Sequence, residues 1–409
     1  MKPLRNFLDK IEPLAKKNKY TYAVYDGLAT FLFVPNHTTH SGSHIRDGID
    51  LKRTMVHVVI ALQLCLVVGF FNIGHQHYAA LGMYSDVFDG FLQKIVYGLI
   101  QILPIIIVVH VVGLGIEFIF AAIKGHAIEE GFLVSGMLIP LIMPPDIPLW
   151  MVAVATTFAV LIGKEAFGGT GMNILNVALL ARVFIFFAYP GFISGDDCWV
   201  AYDYSFLHEF VNNLLPGDFL NIAAGSTPVD GFSGATPLAL AAKGGWAAVT
   251  EKYSVSDMFV GILPGSIGEV SKIGVLAGVG ILLATGIGSW RVMLSMVLGV
   301  AFMGTVFNMF AEAMPNAMFL TVPFYYHYIM GGFLFAMAFM ATDPVTAAQT
   351  NTGKLIYGFL IGTIGLIVRV ANPAYPEGWM MAILLMNVMA PLIDHYVIQA
   401  NIKRRLSRG

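Results

Sequence analysis

Ile95-Val-Tyr-Gly-Leu-Ile-Gln-Ile-Leu-Pro-Ile-Ile-Ile-Val-Val-His-Val-Val-Gly-Leu-Gly-Ile116 contains no formally charged side chain. A helix of that length rises about 1.5 Å per residue, roughly 33 Å in all, which matches the hydrocarbon core of a bilayer at about 30 Å. Residues 273–289 repeat the pattern, again without a charge. Such stretches set the class of the whole chain. Of its 409 residues 57% are hydrophobic and only 12% charged, and mean hydropathy is +0.74. Ordinary soluble chains carry about 25% charged residues, so this one is read as an integral membrane protein. The first 55 residues are rich in Lys, Arg, Asp and His and hold no apolar run of secretory type. The chain is therefore expected to enter the membrane through its own first span. Cys65 and Cys198 are too few to ligate an iron–sulfur cluster alone, which usually needs four thiolates.

Outward from that stretch, apolar runs alternate with charged or Pro/Gly-rich breaks. They predict ten spans near 55–74, 95–121, 131–143, 149–163, 174–189, 272–289, 291–311, 325–342, 354–371 and 379–398. The third and fourth are short for a full crossing, as expected of helices that meet inside the membrane on buried irregular backbone. Lys and Arg crowd both ends: Lys2, Arg5, Lys10, Lys16, Lys17, Lys19, Arg46, Lys52 and Arg53 before the first span, Lys403, Arg404, Arg405 and Arg408 after the last. Both termini are expected to be cytoplasmic, which an even span number satisfies. Lys124 and Lys164 then fall inside, while 75–93 and the long segment 190–257 fall outside. That segment has Asp196, Asp197, Asp203, Glu209, Asp218 and Asp230 against Lys243 and Lys252. Its length predicts a functional loop.

Two stretches echo each other. Glu130-Gly-Phe132 opens a span ending in Met143-Pro-Pro-Asp-Ile-Pro148, and Gly331-Gly-Phe333 opens one ending in Thr342-Asp-Pro-Val345. A further span and a break follow each: Gly168-Gly-Thr-Gly-Met-Asn-Ile-Leu-Asn-Val-Ala178 and Asn372-Pro-Ala-Tyr-Pro-Glu-Gly378. The two breaks face opposite sides, as in an inverted repeat. The fold expected is all-α and polytopic: about ten transmembrane helices in an inverted five-plus-five repeat. Its parts are an arm at 1–54, a first half at 55–189, an outer loop at 190–271, a second half at 272–398 and a basic tail at 399–409.

The most informative string is Asp230-Gly-Phe-Ser-Gly-Ala-Thr236, which precedes Pro237. By composition it is a small-residue loop ending in a hydroxyl, and a polar surface turn explains it. Glycines 231 and 234 also permit close approach by a ligand. The string resembles the flavinylation signature of the membrane subunits of two related redox pumps. In that signature the last threonine is esterified to the phosphate of FMN by a separate transferase. Further matches are Arg46-Asp-Gly-Ile-Asp-Leu-Lys-Arg53, Lys164-Glu-Ala-Phe-Gly-Gly-Thr-Gly-Met-Asn-Ile-Leu-Asn176, Leu263-Pro-Gly-Ser-Ile-Gly-Glu-Val-Ser271, Phe339-Met-Ala-Thr-Asp-Pro344 and Asn372-Pro-Ala-Tyr-Pro-Glu-Gly378. Along essentially its whole length the chain resembles the B subunits of sodium-translocating NADH:quinone reductases. The related D subunit of Rnf ferredoxin:NAD complexes usually lacks an arm like 1–54. Val177 stands where the family tends to have proline, which bears on the local backbone.

The resemblance implies a covalent FMN on Thr236, with Asp230, Ser233 and Gly234 around it in a loop on the periplasmic side of a bacterial inner membrane. It also implies a non-covalent riboflavin, placed at 168–176, where Gly169, Thr170, Asn173 and Asn176 offer backbone and amide groups of both hydrogen-bond types. Small-residue helix packing accounts for that stretch equally well. Leu263–Glu269 could cradle the FMN or form a plain turn. Ionisable groups within spans are functional suspects. The resemblance ties Glu117, Asp343 and Asp394 to sodium uptake, through oxygen ligands that suit a hard cation; helix-end carboxylates or ion pairs are the alternative. Arg182 and Arg369 are expected to pair with carboxylates or flavin oxygens. Ubiquinone is placed by the resemblance near Gly113 and the arm, where Tyr20, Tyr22, Tyr25, Phe31 and Phe33 could cover it or form an interfacial belt. No pair of histidines across spans resembles a bis-His haem site.

Together these readings predict the flavin-carrying membrane subunit of a respiratory pump that couples electron transfer from NADH to ubiquinone with Na+ translocation. No residue is expected to act as a general acid or base, because the flavins carry the redox chemistry. The expected partners are five other subunits, the flavin transferase during maturation, lipid and quinone, and no nucleic acid. The rivals are an Rnf-type subunit and a redox-inactive solute channel.

Overall fold

The computed structural model describes the chain apart from residues 1, 19–20, 23–24, 26, 28, 30–31, 34–38, 40, 45–50, 85, 125–130, 203–205, 215–218, 223–227, 230–231, 315–316, 373–376 and 409. Asp230, Gly231, Tyr20, Phe31 and the 46–50 and 373–376 parts of the quoted motifs lie outside the described residues. The regular elements described are all helical. Six of the helices are long and apolar enough to cross a membrane, and they correspond to spans one, two, four, seven, nine and ten.

The stretch quoted first lies within α3 (Phe91–Lys124), which follows α1 (Lys2–Ala15) and α2 (Leu51–Ala80). α2 extends past its expected end at 74, so His75 and His77 are helical rather than in a loop. The extension is polar yet buried because the segment around Ala201 and Leu220 covers it. His77 Nδ1 bonds Ala201 O at 2.7 Å, and Tyr78 donates to Leu220 O at 2.5 Å. The helix is held by capped polar groups rather than by apolarity, which hydropathy cannot register.

Three spans are short: α4 (Phe132–Leu141), α6 (Val177–Ala188) and α10 (Lys272–Ala284) hold 10, 12 and 13 residues. At about 1.5 Å per residue they cover roughly half the membrane. Between α4 and α6 stands α5 (Leu149–Gly163). The expected eighth span, 325–342, is not one helix. A 3₁₀ turn (Phe324–Tyr328) breaks at Gly331 and Gly332, and a helical turn (Phe333–Phe335) passes into a π turn (Ala336–Met340). Gly331 has φ +65°, and a Cβ on Gly332 would lie 2.7–2.9 Å from the Glu269 carboxyl. The break therefore follows from buried polar groups packed against the backbone.

The outer segment carries α7 (Phe206–Leu214), α8 (Pro237–Lys252) and α9 (Val255–Val260). α11 (Trp290–Phe310) and α12 (Asn351–Ala371) pack closely through Gly299 and Gly362, where a Cβ would strike the partner backbone. The last helix, α13 (Trp379–Leu406), continues through most of the basic tail. Across the two halves α2 packs on α10 and α6 on α13, first helix on first and last on last. Within them, α3 packs on α5 and α11 on α12.

Candidate functional site

Thr236 is placed by a local helix start. Proline suits the first helical position and a hydroxyl suits the residue before it. Pro237 begins α8, and Thr236 Oγ1 accepts from Ala239 N at 3.2 Å. α8 then folds back at Gly245, whose φ of 66° and ψ of −158° favour glycine. The return brings Lys252 Nζ to 2.6 Å from Ser233 O and the Tyr253 hydroxyl to 2.8 Å from Ala235 O. Burial lowers the Lys252 ammonium and raises the Tyr253 hydroxyl from their ordinary values. Gly234 is buried against Asp196 O, where a Cβ would lie 2.5 Å away, and Asp196 pairs with Lys243 at 2.8 Å. Ser233 is exposed and its Oγ accepts from Ala235 N at 3.3 Å. The threonine thus sits on a clamped segment.

Beside it lies a cleft of about 300 Å³, lined by Thr236, Leu238, Leu263, Pro264, Ser266 and Lys272 among others. The sequence suspicion about 263–269 is answered in part: this stretch does form the wall facing Thr236. Asn72 of α2 fixes it by donating to Leu263 O at 2.9 Å. Arg182 does find a carboxylate, Glu269, at 3.2 Å, and also donates to Ile142 O. Arg369 instead donates to the carbonyls of His327 and Met330 and lies 4.6 Å from the Trp379 ring centroid.

A second cleft, about 780 Å³ and partly open to solvent, contains Thr170, Asn173, Asn176, Lys164 and Asp343 in its wall. Apolar surface comes from Val58, Leu138, Leu282 and Phe339. Gly168, Gly169 and Gly171 all have positive φ, so this turn needs its glycines. Asn176 caps α6, accepting from Ala178 N at 3.1 Å and Leu179 N at 3.2 Å, while its Nδ2 donates to Asp343 at 3.4 Å. Val177 is the first helical residue, a position that accepts proline or valine alike. Asn173 turns back to Leu175 O at 3.1 Å, and Gly169 N to Lys164 O at 3.1 Å. The second cleft touches α2 at Val58, and Asn72, fourteen positions further along the same helix, holds the wall of the first. At 1.5 Å per residue they stand roughly 21 Å apart along the helix.

The three suspect carboxylates are not gathered. Glu117 is 5% exposed and forms an ion pair with Lys164, itself 5% exposed. Asp343 lies at the second cleft, accepting from Val345 N at 3.0 Å and Thr346 Oγ1 at 3.0 Å. Asp394 accepts from Gln349 N at 2.6 Å and Thr350 N at 3.0 Å, capping α12 from its neighbour rather than meeting Lys403. Among the described residues no group of three or more His, Cys, Asp or Glu forms a cation site. Gly113 lines neither cleft. Its face is filled by the Phe132 ring, which a Cβ would strike. On the arm, Tyr22 and Tyr25 stack at 6.3 Å.

A family model described as NQR2, RnfD, RnfE matches residues 38–403. The chain belongs to the NQR2, RnfD, RnfE family. It is 43% identical to the B subunit of the Na(+)-translocating NADH-quinone reductase of Chromohalobacter salexigens, over 99% of this chain and 96% of that one. The corresponding subunits of Stutzerimonas stutzeri and Pseudomonas aeruginosa strain LESB58 are 42% and 41% identical, each over 99% of both chains. In this NQR2, RnfD, RnfE chain, sequence reasoning missed Lys272 at the first cleft, Tyr253 behind Ala235 and Lys164 at the second cleft. Lys164 counted only as a loop charge, although it opens a motif quoted for the resemblance; the other two carry no local signal.

Proposed function

We propose that the chain is the flavin-carrying membrane subunit of a Na+-translocating NADH:quinone reductase, a multi-subunit translocase of the bacterial inner membrane. The carrying observation is Thr236: the last residue of a flavinylation-like string, capping a helix and opening on a cleft in a chain over 40% identical to such subunits. FMN is joined to its Oγ1 as a phosphoester. The donor set fits, since the N-terminus of α8, whose first segment runs from Pro237 to the kink at Gly245, favours an anion beside it. Ser233 leaves room on the exposed side, Gly234 lets the chain lie against Asp196 O, and Asp230 belongs to the signature a transferase reads.

Riboflavin occupies the second cleft. Thr170, Asn173 and Lys164 supply donors, and Val58, Leu282 and Phe339 supply apolar faces suited to an isoalloxazine. Asn176 and Gly169 shape that site through the backbone. When bound, the flavins would supply electron transfer; the protein would hold them apart and fix their order. On this reading Thr236 would hold the flavin that accepts electrons on the periplasmic side and the second cleft the one that passes them toward ubiquinone, with five other subunits completing the complex. Gly113 shapes the quinone region through Phe132. Glu117 and Asp343 border the Na+ path near the second cleft, and Asp394 lies apart from them at the start of α12. The whole is an inverted five-plus-five repeat of ten spans with cytoplasmic termini. The pairing of first helix with first and last with last supports that reading, because a two-fold axis in the membrane places equivalent helices together.

Thr236→Ala tests the covalent link. The denatured wild-type chain, matured with its transferase, should fluoresce as a flavoprotein in a gel, and the variant should be dark. A bright variant removes the assignment. An Rnf-type role is separated by assaying quinone reduction in the purified complex, whose absence would sink the reductase reading.

A further inference from the structure

Beneath the Thr236 cleft lies a knot of buried charge that the proposed electron path leaves unexplained. Lys272 lies on the cleft wall at 1% exposure, and Arg369 and Arg182 are buried behind it at 0% and 1%. Glu269 and Glu377, both on the same cleft, are the carboxylates among them. With ordinary ionisation that is three positive charges against two negative. Arg182 alone of the three cations reaches a carboxylate within 4.0 Å among the described residues. Lys272 donates instead to Glu269 O at 2.8 Å and Gly331 O at 2.9 Å, both neutral carbonyls. Two carbonyls leave one of its three N–H bonds over. Glu377 is occupied with Gly332 N at 3.4 Å.

A net positive charge in a poorly solvated interior is costly unless something negative visits it. A flavin that takes up two electrons and one proton gains one negative charge. We infer that Lys272 raises the reduction potential of a flavin held on Thr236, its ammonium stabilising the negative charge gained on reduction. The inference rests on the reading that Thr236 carries the flavin. Lys272 is a tuning residue: it exchanges neither electrons nor protons with the flavin, and it acts through the field it sets in the cleft. Glu377 opposes it from the same wall.

The test is a potentiometric titration of the intact complex, in which the flavin of Thr236 is the component lost from the Thr236→Ala complex. In-gel fluorescence confirms that each variant carries its covalent flavin. Lys272→Met should lower that component's reduced-to-oxidised ratio at fixed potential by about tenfold, roughly 30 mV for a two-electron couple. Glu377→Gln, which removes the opposing charge, should move the ratio in the other direction. Lys272→Arg should stay near the wild-type value. An unmoved potential in Lys272→Met, or a shift of the same sign in Glu377→Gln, overturns the inference. Should Lys272→Met fail to assemble, the sign of the Glu377→Gln shift decides alone. If the Thr236→Ala complex has lost no titrating component, the attachment reading itself has failed, a result distinct from an unmoved potential.

Discussion

Glu117 and Lys164 stand 47 positions apart in sequence and share an ion pair from which water is almost excluded. Removing one partner of a buried pair strands the other charge, at a cost of about 3–5 kcal/mol. Glu117→Gln is therefore expected to lower the thermal stability of the solubilised complex as well as its activity, so inactivity alone is no proof that Glu117 meets sodium. The double variant Glu117→Gln with Lys164→Met separates the two roles. It should regain stability. Lys164 also lines the second cleft, so riboflavin content is measured alongside. With riboflavin retained, sodium-dependent turnover should return if the pair is structural and stay lost if Glu117 guides the ion. What was legible at this scale was local. Thr236 stood out through a contiguous string, as expected if a modifying enzyme reads it, because such a signal is carried in linear sequence. Lys164, Lys272 and the Phe132 ring over Gly113 were not legible, since each owes its role to a residue brought from another helix.

Among the elements, α12 shows how a helix can be finished by its neighbour. Thr350 caps it from within, accepting from Gly353 N at 3.0 Å, and Asp394 of α13 caps it from outside. The charge lies at the helix start, where a carboxylate is favourable. Asp394→Ala is expected to cost about 1–2 kcal/mol, as loss of a cap does. The melting temperature should fall by the same amount with and without sodium. A loss seen only in the presence of sodium would instead make Asp394 an ion ligand. Hydropathy placed most helices well because burying apolar side chains in lipid and in protein asks for the same residues. It failed at 325–342 for a physical reason. A window average measures how apolar a stretch is, whereas continuity of a helix depends on the route of its backbone hydrogen bonds, here interrupted at Gly331 and Gly332.

For the molecule as a whole, sidedness is the expectation on which the proposed electron path depends. Ser233 is exposed near Thr236, and Asn401 is exposed on the last helix. The native Cys65 and Cys198 are both buried, so background labelling should be low. A membrane-impermeant thiol reagent added to intact cells with the outer membrane made leaky should reach Ser233→Cys and not Asn401→Cys. Labelling of Asn401→Cys from outside would reverse the topology and the direction of the pump with it. The membrane class and the charge asymmetry were legible from composition alone, because lipid imposes them on every residue. The association of α2 with α10 and of α6 with α13 was not, because hydropathy contains no partner information.

The clamp around Thr236 bears on how the protein matures. Its hydroxyl already closes the start of α8, and the far end of that helix returns to grip Ser233 and Ala235. A phosphoester there would offer more oxygens to the same helix start than the bare hydroxyl does. Loading the cofactor would then also be a late folding step that tightens the loop from both ends. If a transferase loads Thr236, chains left unloaded should be the ones whose loop stays open to proteases, so that stiffness would mark the finished subunit.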